Sequence, residues 1–289
     1  MKPGIFFILL FICKALSLLG QNYLPLSDGE VINHTGYTLS YDERHEQAQW
    51  VYYELTAEDV NGTISRTNDF RPDPKVSTFS AQPDDYKGSG YDRGHLCPAG
   101  SSKTSRQTMS ESFYMSNMSP QTPSFNRGIW RSLEETVRRW TTEKEQLVVV
   151  SGPVFKNNKG CIGPNHVTVP GYFYKVIYAP QQEKMIAFIL PNQKSDQPIY
   201  RHAVTVDSVE IVTGIDFFPL MDDAKEISLE SKINLSPWNF DAGFTPSYRA
   251  TTKAVQCKGI AKSTGKRCKN KTTNPNGYCR YHQDQAGQK

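Results

Sequence analysis

Cysteine is scarce over most of this 289-residue chain, with six in all and three of them inside residues 256–289. Setting aside Cys13 near the start, the main body has only Cys97 and Cys161, too few for a disulfide-built scaffold. Beyond residue 19 no stretch is apolar and long enough to span a bilayer. Internal repeats and low-complexity tracts are also missing, which excludes a solenoid. Acidic residues are nearly absent from the C-terminus: residues 256–289 hold eight Lys/Arg against the single Asp284, a net +7. Residues 21–255 carry a net −5, so the overall +4 hides a basic tail on an acidic body.

What is abundant is aromatic: 15 Tyr and 14 Phe can build a substantial core. The length suits one large domain plus a small one. The N-terminus reads as a secretory signal over residues 1–20. Lys2 supplies charge, residues 5–13 an apolar run, and Gly20 a small residue before a cut that leaves Gln21 first. An N-terminal anchor is the alternative, but the run is short and Lys14 interrupts it. Ile12 before Cys13 argues against a lipoprotein site. The expected location is secreted or periplasmic, and export permits Cys97 and Cys161 to pair without their spacing deciding it.

Residues 50–56 have strand character, and Asn61-Gly62 marks a turn. Residues 66–90 form a long irregular excursion ending in Gly88-Ser89-Gly90, and such excursions are uncommon unless functional. Residues 113–118 read as a buried strand. A helix is expected over residues 124–143, with Ile129, Trp130, Leu133, Val137 and Trp140 on its apolar face. Strands are expected at 147–150, 167–178 and 184–190, the last two joined as a hairpin. A short helix then leads into a strand over 209–214, and 222–234 reads as helical. Residues 236–255 read as a linker. The order implies an α+β domain over residues 21–235, a mainly antiparallel sheet flanked by helices.

The excursion delivers the chain to Asp92-Arg93-Gly94-His95. A histidine beside a polar partner suits a general base near neutral pH, and an arginine suits a phosphate. Downstream, Asn126 opens the helix with a neutral oxygen fit for Mg²⁺. At 100° per residue, Asn126, Glu134 and Arg138 fall within an arc of about 120°. Glu134 lies about 12 Å further along the axis, so it would meet a metal through water. Each residue also has a plain structural reading: Asn126 as a helix cap, Glu134 and Arg138 as a surface ion pair.

Taken together, Asp92-Arg-Gly-His-Leu-Cys-Pro-Ala99, Phe113-Tyr-Met-Ser-Asn-Met-Ser-Pro-Gln121 and Asn126-Arg-Gly-Ile-Trp-Arg-Ser-Leu-Glu134 resemble the DNA/RNA non-specific endonuclease family. The resemblance extends from about residue 45 to 220 and takes in Ser65-Arg66, Phe70-Arg-Pro-Asp73, Ser151-Gly-Pro153 and Phe173-Tyr-Lys175. It implies a ββα-metal site. His95 would be the general base, Asn126 the direct Mg²⁺ ligand and Glu134 the holder of metal-bound water, with Mn²⁺ the alternative ion. Arg66 and Arg138 would meet the scissile phosphate, Asp92 and Arg93 would set the loop and histidine, and Asn117 would orient the site. The family's products carry 5′-phosphate ends. Two departures stand out. Cys97 replaces a small residue, close enough to His95 for its oxidation to disturb the loop, and residues 99–102 replace a segment that often carries an acid. His166 reads as structural.

In the tail, Cys257, Cys268, Cys279 and His282 offer three thiolates and an imidazole, the donor set of a closed tetrahedral Zn²⁺ site over residues 256–285. A segment this short and polar needs such a staple. Its positive charge suggests a hold on nucleic-acid phosphates, and a protein-docking module is the alternative. The whole reads as an exported Mg²⁺-dependent endonuclease acting on DNA and RNA. Two rivals are a non-catalytic nucleic-acid-binding protein on the same scaffold and a phosphodiesterase for small substrates. Oligomeric state is left open.

Overall fold

Val51, Tyr53 and Leu55 enter one hydrophobic cluster, while Trp50 and Tyr52, their immediate neighbours, enter another. Segregation with a period of two is what a strand buried on both faces requires. The computed structural model describes residues 23–240, 255–261, 265–272, 274 and 276–286, so the expected signal segment lies outside the described residues. Its strands are β1 (Glu30–Asn33), β2 (Thr38–Asp42), β3 (Gln47–Thr56), β4 (Asp92–His95), β5 (Met118–Gln121), β6 (Gln146–Val154), β7 (Cys161–Ile162), β8 (Val167–Thr168), β9 (Tyr172–Ala179), β10 (Lys184–Pro191) and β11 (Ala203–Val204). Seven of these form one sheet in the order β1-β2-β3-β6-β9-β10-β11, and its pairings are antiparallel.

Helices cover both faces. Helix α1 (Arg131–Lys144) lays Leu133, Val137 and Trp140 on the face that carries Val51, Tyr53 and Val149. Helix α2 (Val206–Thr213) lays Val206 and Val209 on the opposite face with Trp50, Val148 and Phe217. Helix α3 (Asp223–Glu230) follows it. Burying each large apolar side chain contributes about 1.5–3 kcal/mol, so these two layers carry most of the stability. The class is α+β, as expected.

Several local expectations are corrected. Residues 113–118 are not a strand: Met115–Asn117 is a tight helical turn and β5 starts only at Met118. Buried Asn117 bends the chain there by bonding backbone at Cys97 and Ser112. The turn expected at Asn61-Gly62 is the end of a short helix, Ala57–Asn61, with Gly62 as its C-cap. Residues 209–214 are helical. Thr205 caps α2 by accepting from the Ser208 amide, and Gly214 closes it at φ 77°, so capping outweighs the β-branched run. The strand expected over 167–178 is split into β8 and β9 around Pro170-Gly171.

The linker does not begin at residue 236. Trp238 and Phe240 are buried against Trp140, with ring centroids 4.7 and 5.2 Å away. Lys144 Nζ donates to the Pro237 carbonyl at 2.8 Å, and Trp140 Nε1 to that of Asn239 at 2.6 Å. Hence the body runs through residue 240, and 241–254 lie outside the described residues.

Candidate active site

His95 ends β4, which pairs with β5 so that Asp92 faces Gln121 and His95 faces Met118. Between them Gly94 is obligatory: a Cβ there would sit 2.1 Å from the Gln121 side chain. The His95 ring is 8 % exposed and packs edge-on against Phe113 and Phe70, with centroids 5.0 and 5.8 Å away. Its Nε2 is buried with no hydrogen-bond partner. Burial, with Arg66 and Arg93 adding repulsion, lowers its pKa to about 3. The imidazole is therefore neutral at pH 7 and has a free lone pair to take a proton.

The helical side is bound to this ribbon at two points. Trp130 Nε1 donates to the His95 carbonyl at 3.2 Å. Asn126 Nδ2 donates to Asp92 at 2.9 Å, and Arg127 grips the same carboxylate with Nε at 2.9 Å and Nη2 at 2.7 Å. Burial works against the Asp92 charge, but these donors hold its pKa below the usual carboxylate value. With Nδ2 committed to Asp92, the other end of the Asn126 amide, Oδ1, is left as a hard oxygen ligand. The regular helix expected from residue 124 is absent here. Residues Asn126–Trp130 form a π-turn broken at Gly128 (φ −104°, ψ −115°). The 100° spacing argument thus fails across this turn, and such turns often mark functional sites.

Glu134 and Arg138 lie beyond that turn, on α1. Burial raises the Glu134 pKa, opposed by Lys175, Arg138 and Arg66, so these four side chains share one electrostatic neighbourhood. Arg138 lies against the loop after His95, where a Cβ on Gly100 would be 3.1 Å from its Nη1. Arg66 stacks over Phe113 at 4.7 Å, the ring that also flanks His95. Arg93 stacks over Phe70 at 4.1 Å. The structure thus brings together Arg66, Asp92, Arg93, His95, Asn126, Glu134 and Arg138.

Two members were not singled out from the sequence. Arg127 looks like a solvated helix residue, and only Asp92 across the ribbon gives it a task. Lys175, in the middle of β9, is fully buried; its Nζ meets Ser151 Oγ, lies 3.1 Å from Tyr53 Oη and sits 4.6 Å over the Trp130 ring. Burial lowers its pKa, and the nearby Glu134 carboxylate opposes this.

Asn117 clamps the loop that follows His95. Its Oδ1 accepts from the Cys97 amide at 2.8 Å, and its Nδ2 donates to the Cys97 carbonyl at 2.9 Å. Cys97 itself is 1 % exposed and free, and burial pushes its thiol up to about 12. Such a thiol is inert, so Cys97 is not the redox handle its position suggested. Cys161 is exposed and also free, so the two do not pair. Its sulfur is 3.5 Å from His166 Nδ1, within the β7–β8 connection.

Apart from this site, Cys257, Cys268, Cys279 and His282 converge in the tail. Their ligand atoms lie within 4.8 Å of one another, and all four residues are buried. The short strands β12 (Val255–Gln256) and β13 (Lys271–Thr272) frame them.

Comparison with known proteins agrees with the geometry. The sequence profile of the DNA/RNA non-specific endonuclease family matches residues 17–224. Mitochondrial nuclease EXOG of Mus musculus is 35 % identical over 231 residues, covering 73 % of this chain and 63 % of its own length. The chain thus spans somewhat less than two thirds of that relative. Nuclease C1 of Cunninghamella echinulata var. echinulata is 37 % identical, covering 68 % of this chain and 86 % of its own. A solved complex of EndoG with EndoGI superposes with a TM-score of 0.67 at 35 % identity, covering 73 % of this chain and 94 % of that one. The chain belongs to the DNA/RNA non-specific endonuclease family.

Proposed function

We propose that this chain is an exported endonuclease that hydrolyses phosphodiester bonds of DNA and RNA with Mg²⁺. The observation that carries the reading is His95 Nε2, buried, unpartnered and uncharged, on the strand whose Asp92 fixes Asn126. In the step this supports, a water oxygen attacks phosphorus while the neutral His95 imidazole takes its proton. Arg66 and Arg138 neutralise charge on the non-bridging oxygens, and the 3′ oxygen departs to leave a 5′-phosphate. Asn126 Oδ1, with Glu134 behind it, would hold a hydrated Mg²⁺, whose chemistry is to stabilise the developing oxyanion and the leaving oxygen. Asp92 and Arg127 keep Asn126 in place, and Asn117 keeps the His95 loop in place. Contacts confined to phosphate and sugar would give little sequence preference. Plasmid DNA and RNA incubated with Mg²⁺, with and without chelator, test this. Metal-dependent nicking of both is expected, and intact polymers would sink the enzyme reading in favour of a binding protein.

We also assign Zn²⁺ to the tail cluster. A tetrahedral ion with Zn–S bonds of about 2.3 Å needs S···S edges of about 3.8 Å and slightly shorter S···N edges. The Cys268–Cys279 sulfurs are 3.9 Å apart, and His282 Nδ1 lies 3.3 and 3.6 Å from Cys279 and Cys257, which supports that ion. One zinc per chain by metal analysis is expected, falling to a small fraction in Cys268→Ser. Equal zinc content in the two proteins would remove the assignment. Export rests on residues 1–20 alone, and Edman sequencing of protein recovered outside the cytoplasm should begin at Gln21.

A further inference from the structure

Arg280 lies between two of the four clustered tail residues, Cys279 and His282, yet its side chain leaves the tail. Its guanidinium meets Glu226 at 2.7 Å, Glu230 at 3.0 Å and Asp216 at 3.8 Å, all in the nuclease body. Glu226 and Glu230 stand one turn apart on α3, with side chains 1 % and 0 % exposed, while that of Arg280 is 17 % exposed. Helix α2 adds Asp207 and Glu210, and carboxylate oxygens of Asp207, Glu210 and Glu230 lie within 4.8 Å of one another. Five carboxylates thus surround one guanidinium. Among the described residues, the ion pairs of this acid cluster all run to Arg280. A buried acid left without its cation is strongly destabilising. Burial raises the pKa of both Glu230 and Glu210, and the Arg280 guanidinium opposes this, so the acids depend on that cation to keep their charge.

The cluster also has a definite place. Helix α2 packs on the sheet face opposite α1, so Arg280 is docked away from the side that carries Trp130 and the His95 ribbon. A segment fixed there acts on the scaffold. The turn that carries Arg280 is in turn held by its neighbours in sequence. Residues Arg280–Gln285 form a tight helical turn that contains His282, with Cys279 as its N-terminal cap. The Cys279 amide donates to Cys257 Sγ at 3.1 Å. Closing four ligands on one ion fixes that turn, and opening them releases the backbone that aims the guanidinium.

We propose that the Cys3His module is a metal-dependent clasp: loaded, it seats Arg280 in the acid cluster of α2 and α3, making the stability of the nuclease body depend on the tail's ion. This rests on the zinc assignment above. All four tryptophans, at 50, 130, 140 and 238, lie in the body, so tryptophan fluorescence follows its unfolding without a contribution from the tail.

The test compares thermal unfolding of the zinc-loaded full chain with and without a zinc-selective chelator, in excess Mg²⁺. Wild type, Arg280→Gln and Glu226→Gln/Glu230→Gln are measured, with zinc content determined for each. Zinc removal should lower the wild-type midpoint by about 5–10 °C. Arg280→Gln should keep its zinc, unfold at the lower midpoint already and respond little to chelation. The Glu226→Gln/Glu230→Gln protein, relieved of the buried charge, should also lose most of its response, and it serves if Arg280→Gln does not fold. Adding those two substitutions to Arg280→Gln should recover part of the midpoint. A wild type that holds zinc but whose midpoint ignores its removal would overturn the clasp alone, as would an Arg280→Gln protein as sensitive as wild type. A wild type that holds no zinc would overturn the metal assignment and the clasp with it.

Discussion

Alanine at position 95 should leave a folded protein that cleaves plasmid DNA about 10³-fold more slowly than wild type at saturating Mg²⁺. General-base catalysis typically contributes about 10²–10⁴-fold, and the other unpartnered nitrogen beside this strand pair among the described residues, Gln121 Nε2, is an amide and no base. The fold should survive because the join between β4 and the helix uses the His95 carbonyl, which accepts from Trp130 Nε1, and not the ring. Added imidazole should recover part of the lost rate, since the cavity left between Phe70 and Phe113 has the shape of the missing ring. A purely structural histidine would give neither the specific loss nor the recovery. Undiminished cleavage by His95→Ala would remove its assignment as the base.

The same burial has a consequence for acid stability. In the unfolded chain His95 titrates near 6.5, and in the fold at about 3. Between those values the unfolded state binds a proton that the folded state refuses. Stability therefore falls as pH drops through this window, by about 1.4 kcal/mol per pH unit from this one group, and no further below it. His95→Gln cannot titrate, so its denaturant midpoint should decline less than that of wild type between pH 7 and pH 5. Asp92 is also shifted downward, so it too loses stability as pH falls, but it is present in both proteins and cancels in the comparison. Parallel declines would mean that the imidazole is not held neutral by the fold.

What the sequence made legible was chemistry that sits in consecutive residues. Asp92 to His95 and Asn126 to Glu134 each present their functional types within one short run, and matching against family motifs placed them in one site. The misreadings come from contacts between distant positions. Arg127 reaches back 35 residues to Asp92, and nothing in its own surroundings on the helix announces that partner. Lys175 lies within a motif run, but its burial is not visible there: β9 is covered on both faces and its ammonium is held by Tyr53 and Ser151. Trp238 and Phe240 sit in a Pro-containing stretch without period, and distant partners make them core: Trp140 against both, Lys144 over Trp238, and Phe188 and Tyr200 against Phe240. Cys97 looked reactive because proximity to His95 is visible in sequence, whereas its 1 % exposure is not. The π-turn at Gly128 is of the same kind: Asp92 and the His95 carbonyl fix Asn126 and Trp130 from across the ribbon, at separations of 34 and 35 residues.

That junction supports the second large effect. Asn126→Ala should lower cleavage by about 10²–10⁴-fold at limiting Mg²⁺, the range expected from losing several kcal/mol of charge stabilisation. Part of the activity should return at high Mg²⁺, because Glu134, Arg66 and Arg138 remain. Asn126→Asp separates the two ends of the amide. It restores an oxygen ligand, but it places a second carboxylate where Nδ2 donates to Asp92 Oδ2 at 2.9 Å. Two carboxylates at that distance repel, so Asn126→Asp should bind Mg²⁺ but remain well below wild-type rate. Arg127→Gln leaves Asn126 in place but removes the two-pronged grip on Asp92, at 2.9 and 2.7 Å. It should raise the Mg²⁺ concentration for half-maximal cleavage by about 10–100-fold, as loss of a supporting residue around a metal ligand does. Its maximal rate should change far less than that of Asn126→Ala. A Mg²⁺ titration of the four proteins checks the ordering. An Asn126→Ala curve that overlays wild type would show that the ion is held elsewhere, and an unshifted Arg127→Gln curve would show that Asp92 fixes Asn126 without Arg127.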